Sequence, residues 1–333
     1  MNETIETGHN LGLDLVRATE AAALAAGRWM GKGAADEGDR IAAQAMEDAL
    51  CRIDFDGRIV FSEIDKLDEL APLHPGKRVG TGLGPQMDVV VDPIEGRHLL
   101  AHGHPDAVAV AAAAPRDAFW AVPHAVYMEK IVVGAEVGQA LVPECLDAPA
   151  AWTLALVARE LGKEVSDLIV FLLSRPRHRD LVTEIHAAGA RVMFRSDGDL
   201  VGALKAILPS GGVDVMMGIG NYPEGLITAC AVKAGSGAML GRLAPQSEAE
   251  RDALLADGYD LHQVLTVDEL VSGDQTFFTA TGITDGSLLA GVHYHGTRAT
   301  SDSLIMRGAT HTRRRVRAEH SLSRTSAVRS YDD

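Results

Sequence analysis

The decapeptide Asp88-Val-Val-Val-Asp-Pro-Ile-Glu-Gly-Arg97 carries the residues of this chain best suited to chemistry. Its β-branched run, Val89 to Val91, predicts a strand leading out of a core, and Pro93 and Gly96 predict the sharp turn that stops it. Such a turn presents Asp92 and Glu95 together. Two carboxylates three residues apart, on a backbone whose φ is fixed by Pro93, are suited to sharing one or two divalent cations through oxygen ligands. The same residues also fit an acidic turn with solvated side chains, and the decapeptide alone leaves both readings open.

Further carboxylates recur at comparable places. Gly57 to Ser62 reads as a short strand followed at once by Glu63, Asp65 and Asp68, and Asp39 stands where the N-cap of a second helix would fall. Acidic groups at two successive strand ends suggest convergence on metal. Later in the chain, three apolar segments run into Ser174-Arg175-Pro-Arg177-His178, into Ser196-Asp197-Gly-Asp199 and into Gly218-Ile-Gly-Asn221-Tyr-Pro-Glu224-Gly. Guanidinium groups for phosphate, carboxylates for sugar hydroxyls and the open N–H groups of a glycine-rich helix start together suit a phosphorylated, hydroxyl-rich ligand. The Gly-x-Gly has the spacing of neither a dinucleotide fingerprint nor a P-loop.

The elements that must position these groups change character near residue 146. Before it, helices over Leu11–Met30 and Asp39–Arg52 and strands over Ala107–Ala113, Phe119–Val122 and Tyr127–Val133 predict two helices against a largely antiparallel sheet. After it, helical patterns (150–161, 179–188, 199–208, 223–233) alternate with short strands (168–173, 191–195, 213–217), the grammar of βαβ units and a parallel-rich sheet. The expected organisation is an α/β fold with a metal-site α+β domain over 1–146 and an α/β sugar-phosphate-binding domain over 147–333. Ligands of such sheets settle at the carboxyl ends of the strands.

Composition narrows the classes. With 333 residues and 47% hydrophobic content the chain can build a substantial core, and the three cysteines, Cys51, Cys145 and Cys230, fit buried thiols in a reducing cytoplasm better than a disulfide framework. Neither a secretory signal nor a bilayer-length apolar run is visible. A net charge of −15 argues against a nucleic-acid-binding body. Residues 307–333, with seven arginines against three acids, read as a solvated edge strand with Arg313, Arg315 and Arg317 on one face. Trp29, Trp120 and Trp152 read as core.

Seven segments in order carry a family likeness: Arg28-Trp-Met-Gly-Lys-Gly33, Val91-Asp-Pro-Ile-Glu-Gly96, Tyr127-Met-Glu-Lys130, Arg175-Pro-Arg-His178, Asp197-Gly-Asp199, Gly218-Ile-Gly-Asn-Tyr-Pro-Glu-Gly225 and Ala280-Thr-Gly-Ile-Thr284. From about residue 11 to about 320 the chain resembles the class II fructose-1,6-bisphosphatases of the GlpX type, within the lithium-sensitive phosphatase superfamily. The resemblance implies an αβαβα layered sugar-phosphatase fold, Mn²⁺ or Mg²⁺ as cofactor, a sugar-phosphate substrate, and a homo-oligomer, dimer or tetramer. It places metal ligands on Asp39, Glu63, Asp92, Glu95 and Glu224, and substrate contacts on Gly96, Tyr127, Arg175, Arg177, Asp197 and Asp199. Asn221 joins that set where the family has glycine.

Departures cluster around the reacting phosphate. The family follows Asp-Pro-Ile-Glu-Gly with threonine, whose hydroxyl helps orient the attacking water; here Arg97 stands there, with no acceptor and no labile proton to relay. Gly33-Ala-Ala35-Asp36 stands where the family reads Gly-Asp-Lys-Asn, so a lysine and an aspartate are missing. The expected reaction is hydrolysis of a phosphate monoester by metal-activated water, with Asp65 or Asp68 taking the proton and Arg97 meeting the charge on phosphate, either weakly or on a different sugar phosphate. The rival reading is a sugar-phosphate-binding protein of the same descent that no longer turns over, with Arg97 as a fixed cation. A polyanion-binding role for the arginine-rich end is a third.

Overall fold

The computed structural model describes residues 10–62, 71–209 and 211–322. Glu63, Asp65 and Asp68 lie outside the described residues.

The chain opens with α1 (Leu11–Ala26) and α2 (Ala35–Leu50), then β1 (Asp56–Ser62), β2 (Arg78–Val79), β3 (Gln86–Glu95), the short α3 (Arg97–His102) and β4 (Val108–Pro115). It continues with β5 (Tyr127–Val133), α4 (Ala135–Gly138), α5 (Ala150–Leu161), β6 (Ile169–Leu173), α6 (Arg179–Ala187), β7 (Arg191–Arg195), α7 (Leu200–Ile207), β8 (Val215–Asn221) and α8 (Tyr222–Ala234). The last elements are β9 (Ala238–Leu243), α9 (Glu248–Ala256), β10 (Leu265–Thr266), α10 (Val267–Leu270), β11 (Phe277–Gly282), β12 (His293–His295), β13 (Arg298–Arg307) and β14 (Thr312–Ser321). Among the described residues no helix is long and apolar enough to cross a membrane.

Two mixed sheets result. The first runs β12-β13-β11-β4-β3-β1-β2, with β14 on β13, and is antiparallel apart from the β1/β3 pair. The second runs β10-β9-β5-β8-β6-β7. Sheet membership crosses residue 146 in both directions: β5 belongs to the second sheet, and β11 to β14 complete the first.

Period-two burial explains the layering. Along β4, Ala109, Ala111 and Ala113 enter the core under α1 and α2, whereas Val108, Val110, Ala112 and Ala114 enter the core shared with α7 and α8. Alanines suit a strand that α1 and α8 both contact, one from each face. α8 is buried at every position, because it contacts β3, β4 and β11 of the first sheet and β5, β8 and β9 of the second. A helix buried all round shows no amphipathic stripe. On the far side of the second sheet, Leu154 and Val157 of α5 and Ile185 of α6 meet Ile131, Val170 and Val215. The order of layers is therefore helices, sheet, helices, sheet, helices.

Several expectations need correction. β6, β7 and β8 pair in parallel, and β9 runs the same way, yet β5 lies between β8 and β9 against both. The helix-linked grammar set the strand direction but could not reveal a strand inserted from the other half. β3 does not stop at Pro93: it runs on to Glu95, and its register with β4 breaks between Asp92 and Glu95, where proline has no N–H to donate. Asp39 is no N-cap, since α2 starts at Ala35. Phe119 makes only an isolated bridge, with Val271. Trp152 is 50% exposed, and Cys51 is exposed also. Arg313, Arg315 and Arg317 of β14 are exposed on one face as expected, with Arg314 exposed on the other, although Arg315 turns back to grip Asp302 through two nitrogens.

Candidate metal and sugar-phosphate site

Asp92 and Glu95 end β3, and Glu224 sits in the first turn of α8. One carboxylate oxygen from each lies within 4.8 Å of the other two, and all three residues are buried. Each carboxylate is held. Asp92 Oδ1 accepts the Ile94 N–H at 2.9 Å, Glu95 Oε1 accepts the Leu200 N–H at 3.1 Å at the start of α7, and Glu224 Oε1 accepts from Asn221 Nδ2 at 2.9 Å. Buried carboxylates this close repel one another unless positive charge compensates them, and an all-oxygen donor set is the one hard divalent cations take. The residues present fit a divalent metal.

Gly96 follows with φ +90°, a left-handed conformation in which an added Cβ would stand 2.9 Å from Leu99 Cδ1. That reversal turns the chain from β3 directly into α3 and makes Arg97 its first residue. Arg97 Nη1 stands 3.4 Å from Asp39 Oδ2. Of the five carboxylates expected at metal, the structure thus brings three together and sets Asp39 against Arg97, while Glu63 lies outside the described residues with Asp65 and Asp68.

The predicted sugar-phosphate residues collect at the same sheet ends. Tyr127 begins β5 directly across from Asn221 at the end of β8. Arg177 lies over the Tyr127 ring, 5.1 Å to its centroid, and donates twice to the Ile219 carbonyl at 3.1 and 2.8 Å. Burial foremost lowers the Arg177 guanidinium from its ordinary value, so an anionic ligand has a partly desolvated cation to neutralise. Arg175 pairs with Asp197 at 3.2 Å, and Asp197 in turn accepts the His98 N–H at 3.2 Å, tying the end of β7 to α3. Asp199 behaves differently: it is 1% exposed and stands 2.7 Å from the fully buried Lys130 ammonium.

Three neighbours of these residues were not singled out from sequence. Lys130 is one, and its signal was a lone lysine inside the apolar run of β5. Glu250 is another: Oε1 accepts the Val126 and Tyr127 N–H groups at 2.8 and 3.0 Å, fixing the entry of β5, yet locally it reads as an ordinary first-turn acid. The third is His178. Its Nδ1 donates to the Leu173 carbonyl and its Nε2 accepts the Ile219 N–H, both at 2.8 Å. The ring must be neutral for both bonds to stand.

Burial lowers the His178 imidazole from its ordinary value. The unfolded chain then binds the proton more readily than the folded one. The contribution to stability is present above about pH 6.5 and is lost as pH falls. His178→Asn, which does not titrate, should flatten the decline of Tm between about pH 7.5 and 5. An equally steep decline in the variant, followed by thermal melts, would assign the acid limb to other groups.

Comparison with known proteins places the chain in a family. The family described as bacterial fructose-1,6-bisphosphatase, glpX-encoded, matches residues 9–320. The fructose-1,6-bisphosphatase class 2 of Haemophilus influenzae is 38% identical over 325 residues, covering 94% of this chain and 96% of that protein. The fructose-1,6-bisphosphatase 1 class 2 of Escherichia coli K12 is 36% identical over 327 residues, with the same coverage of 94% and 96%. Matches that span nearly the whole of both chains make this protein a member of the GlpX-type class II fructose-1,6-bisphosphatase family.

Proposed function

We propose that the chain hydrolyses a phosphate ester of fructose-1,6-bisphosphate, with Mg²⁺ or Mn²⁺ held by Asp92, Glu95 and Glu224. The observation that carries this reading is the convergence of those three buried carboxylates within 4.8 Å at the sheet ends that also bear Arg175, Arg177 and Asp197. Those three carboxylates would hold a divalent ion whose charge would activate water and offset that of the phosphoryl group. The chain's own groups do the rest. Arg175 and Arg177 take the phosphate oxygens, Asp197 accepts from a sugar hydroxyl, Arg97 faces the reacting phosphoryl group, and Asp65 or Asp68 takes the proton from water. The same reading makes the protein a cytoplasmic homo-oligomer, in keeping with its free thiols.

The contact between Arg97 and Asp39 favours one rival, ligand binding without turnover, since it puts a permanent cation on a carboxylate expected to hold metal. Phosphate release from a panel of sugar bisphosphates and monophosphates, in Mn²⁺, in Mg²⁺ and in EDTA, decides between them. Hydrolysis is expected with either metal, highest for the fructose bisphosphate and abolished by EDTA. Tight ligand binding indifferent to EDTA, with no phosphate released, would establish the binding protein.

A further inference from the structure

We infer that the Arg97 guanidinium is a built-in substitute for a divalent cation on Asp39, so that this chain holds metal at Asp92, Glu95 and Glu224 and not at Asp39. The inference rests on the metal site of the proposed function, though not on its substrate.

Three observations carry it. First, among the described residues Asp39 is not one of the carboxylates gathered within 4.8 Å, and its Oδ2 meets Arg97 Nη1 at 3.4 Å. Second, the pair is asymmetric: the Asp39 side chain is 11% exposed and that of Arg97 is 41% exposed. A carboxylate that has given up most of its water needs a positive partner, and the half-exposed guanidinium supplies one at a smaller desolvation cost of its own. Third, Arg97 is covalently part of the metal turn, two residues beyond Glu95, with the left-handed Gly96 between them. No separate binding step is needed to bring this cation into place.

The chemistry follows from the kind of charge supplied. A guanidinium stays protonated at any working pH and cannot be removed by a chelator, and a second metal ion on Asp39 would have to sit against it. Like charge on one carboxylate excludes the ion. With Asp39 Oδ2 the guanidinium makes a single-nitrogen contact, not the bidentate fork.

Metal stoichiometry tests this without substrate. Mn²⁺ alone is titrated by calorimetry and by electron paramagnetic resonance into the full chain, Asp39→Asn, Arg97→Lys, Arg97→Thr and the Arg97→Thr/Asp39→Asn double variant. The natural chain, Asp39→Asn and Arg97→Lys should each take about one Mn²⁺, Arg97→Thr about two, and the double variant about one again. Two ions in the natural chain with one lost in Asp39→Asn would overturn the inference, as would a single ion in Arg97→Thr. Failure of the proposed function reads differently: the stoichiometries hold, and the fructose bisphosphate is not hydrolysed.

Discussion

Asp92→Asn is expected to lower phosphate release roughly 10²–10³-fold and to remove most of the Mn²⁺-induced rise in Tm, while leaving the metal-free protein about as stable as before. Asp92 is 1% exposed and shares a space of 4.8 Å with two other buried carboxylates. The amide oxygen of asparagine can still accept the Ile94 N–H, which Asp92 Oδ1 receives at 2.9 Å, so the bend after Asp92 should survive. The two effects therefore separate: activity and metal response fall, metal-free stability does not. Thermal melts with and without Mn²⁺, beside initial rates, read both. Near-normal turnover in Asp92→Asn would remove this carboxylate from the metal site.

What the sequence could show of this arrangement depended on whether the cause was local. α5, β5 and β7 fall on the residues expected, because each is a clean apolar pattern bounded by Gly or Pro or by charge. α2 starts four residues before Asp39 for an equally local reason: Asp36 and Glu37 suit the positive end of a helix. β3 outruns its apolar pattern because Pro93, which ordinarily ends a strand, here sits at a register break. The insertion of β5 between β8 and β9 was not legible, since nothing within Tyr127–Val133 says which strands lie beside it. The site divides in the same way. The approach of Asp92 to Glu95 is written into one turn, and the arginines and aspartates announce themselves at strand ends. The meeting of Glu224 with that turn, and of Asp39 with Arg97, joins residues that only packing of α2 and α8 against the first sheet brings together.

Lys130 and Asp199 show the other side of that division, and removing one of them should cost the fold more than any single change at the metal turn. Both are essentially inaccessible, 0% and 1% exposed, and their charges stand 2.7 Å apart between β5 and the start of α7. Space for the pair exists only because residue 220 lacks a side chain: a Cβ there would lie 1.9 Å from Asp199 Oδ2 and 2.9 Å from Lys130 Nζ. Lys130→Met leaves Asp199 charged, buried and without its cation, and is expected to cost about 3–5 kcal/mol in urea unfolding. Lys130→Met/Asp199→Leu removes both charges and should recover most of that loss, because two desolvation penalties vanish together. Asp199 precedes Leu200, whose N–H holds Glu95 Oε1, so the pair bears on catalysis by fixing the start of α7. Turnover should accordingly return with stability in the double variant. Recovered stability with turnover still lost would instead mean that Asp199 itself touches the sugar, and a cost below about 1 kcal/mol for Lys130→Met would mean that water reaches the pair after all.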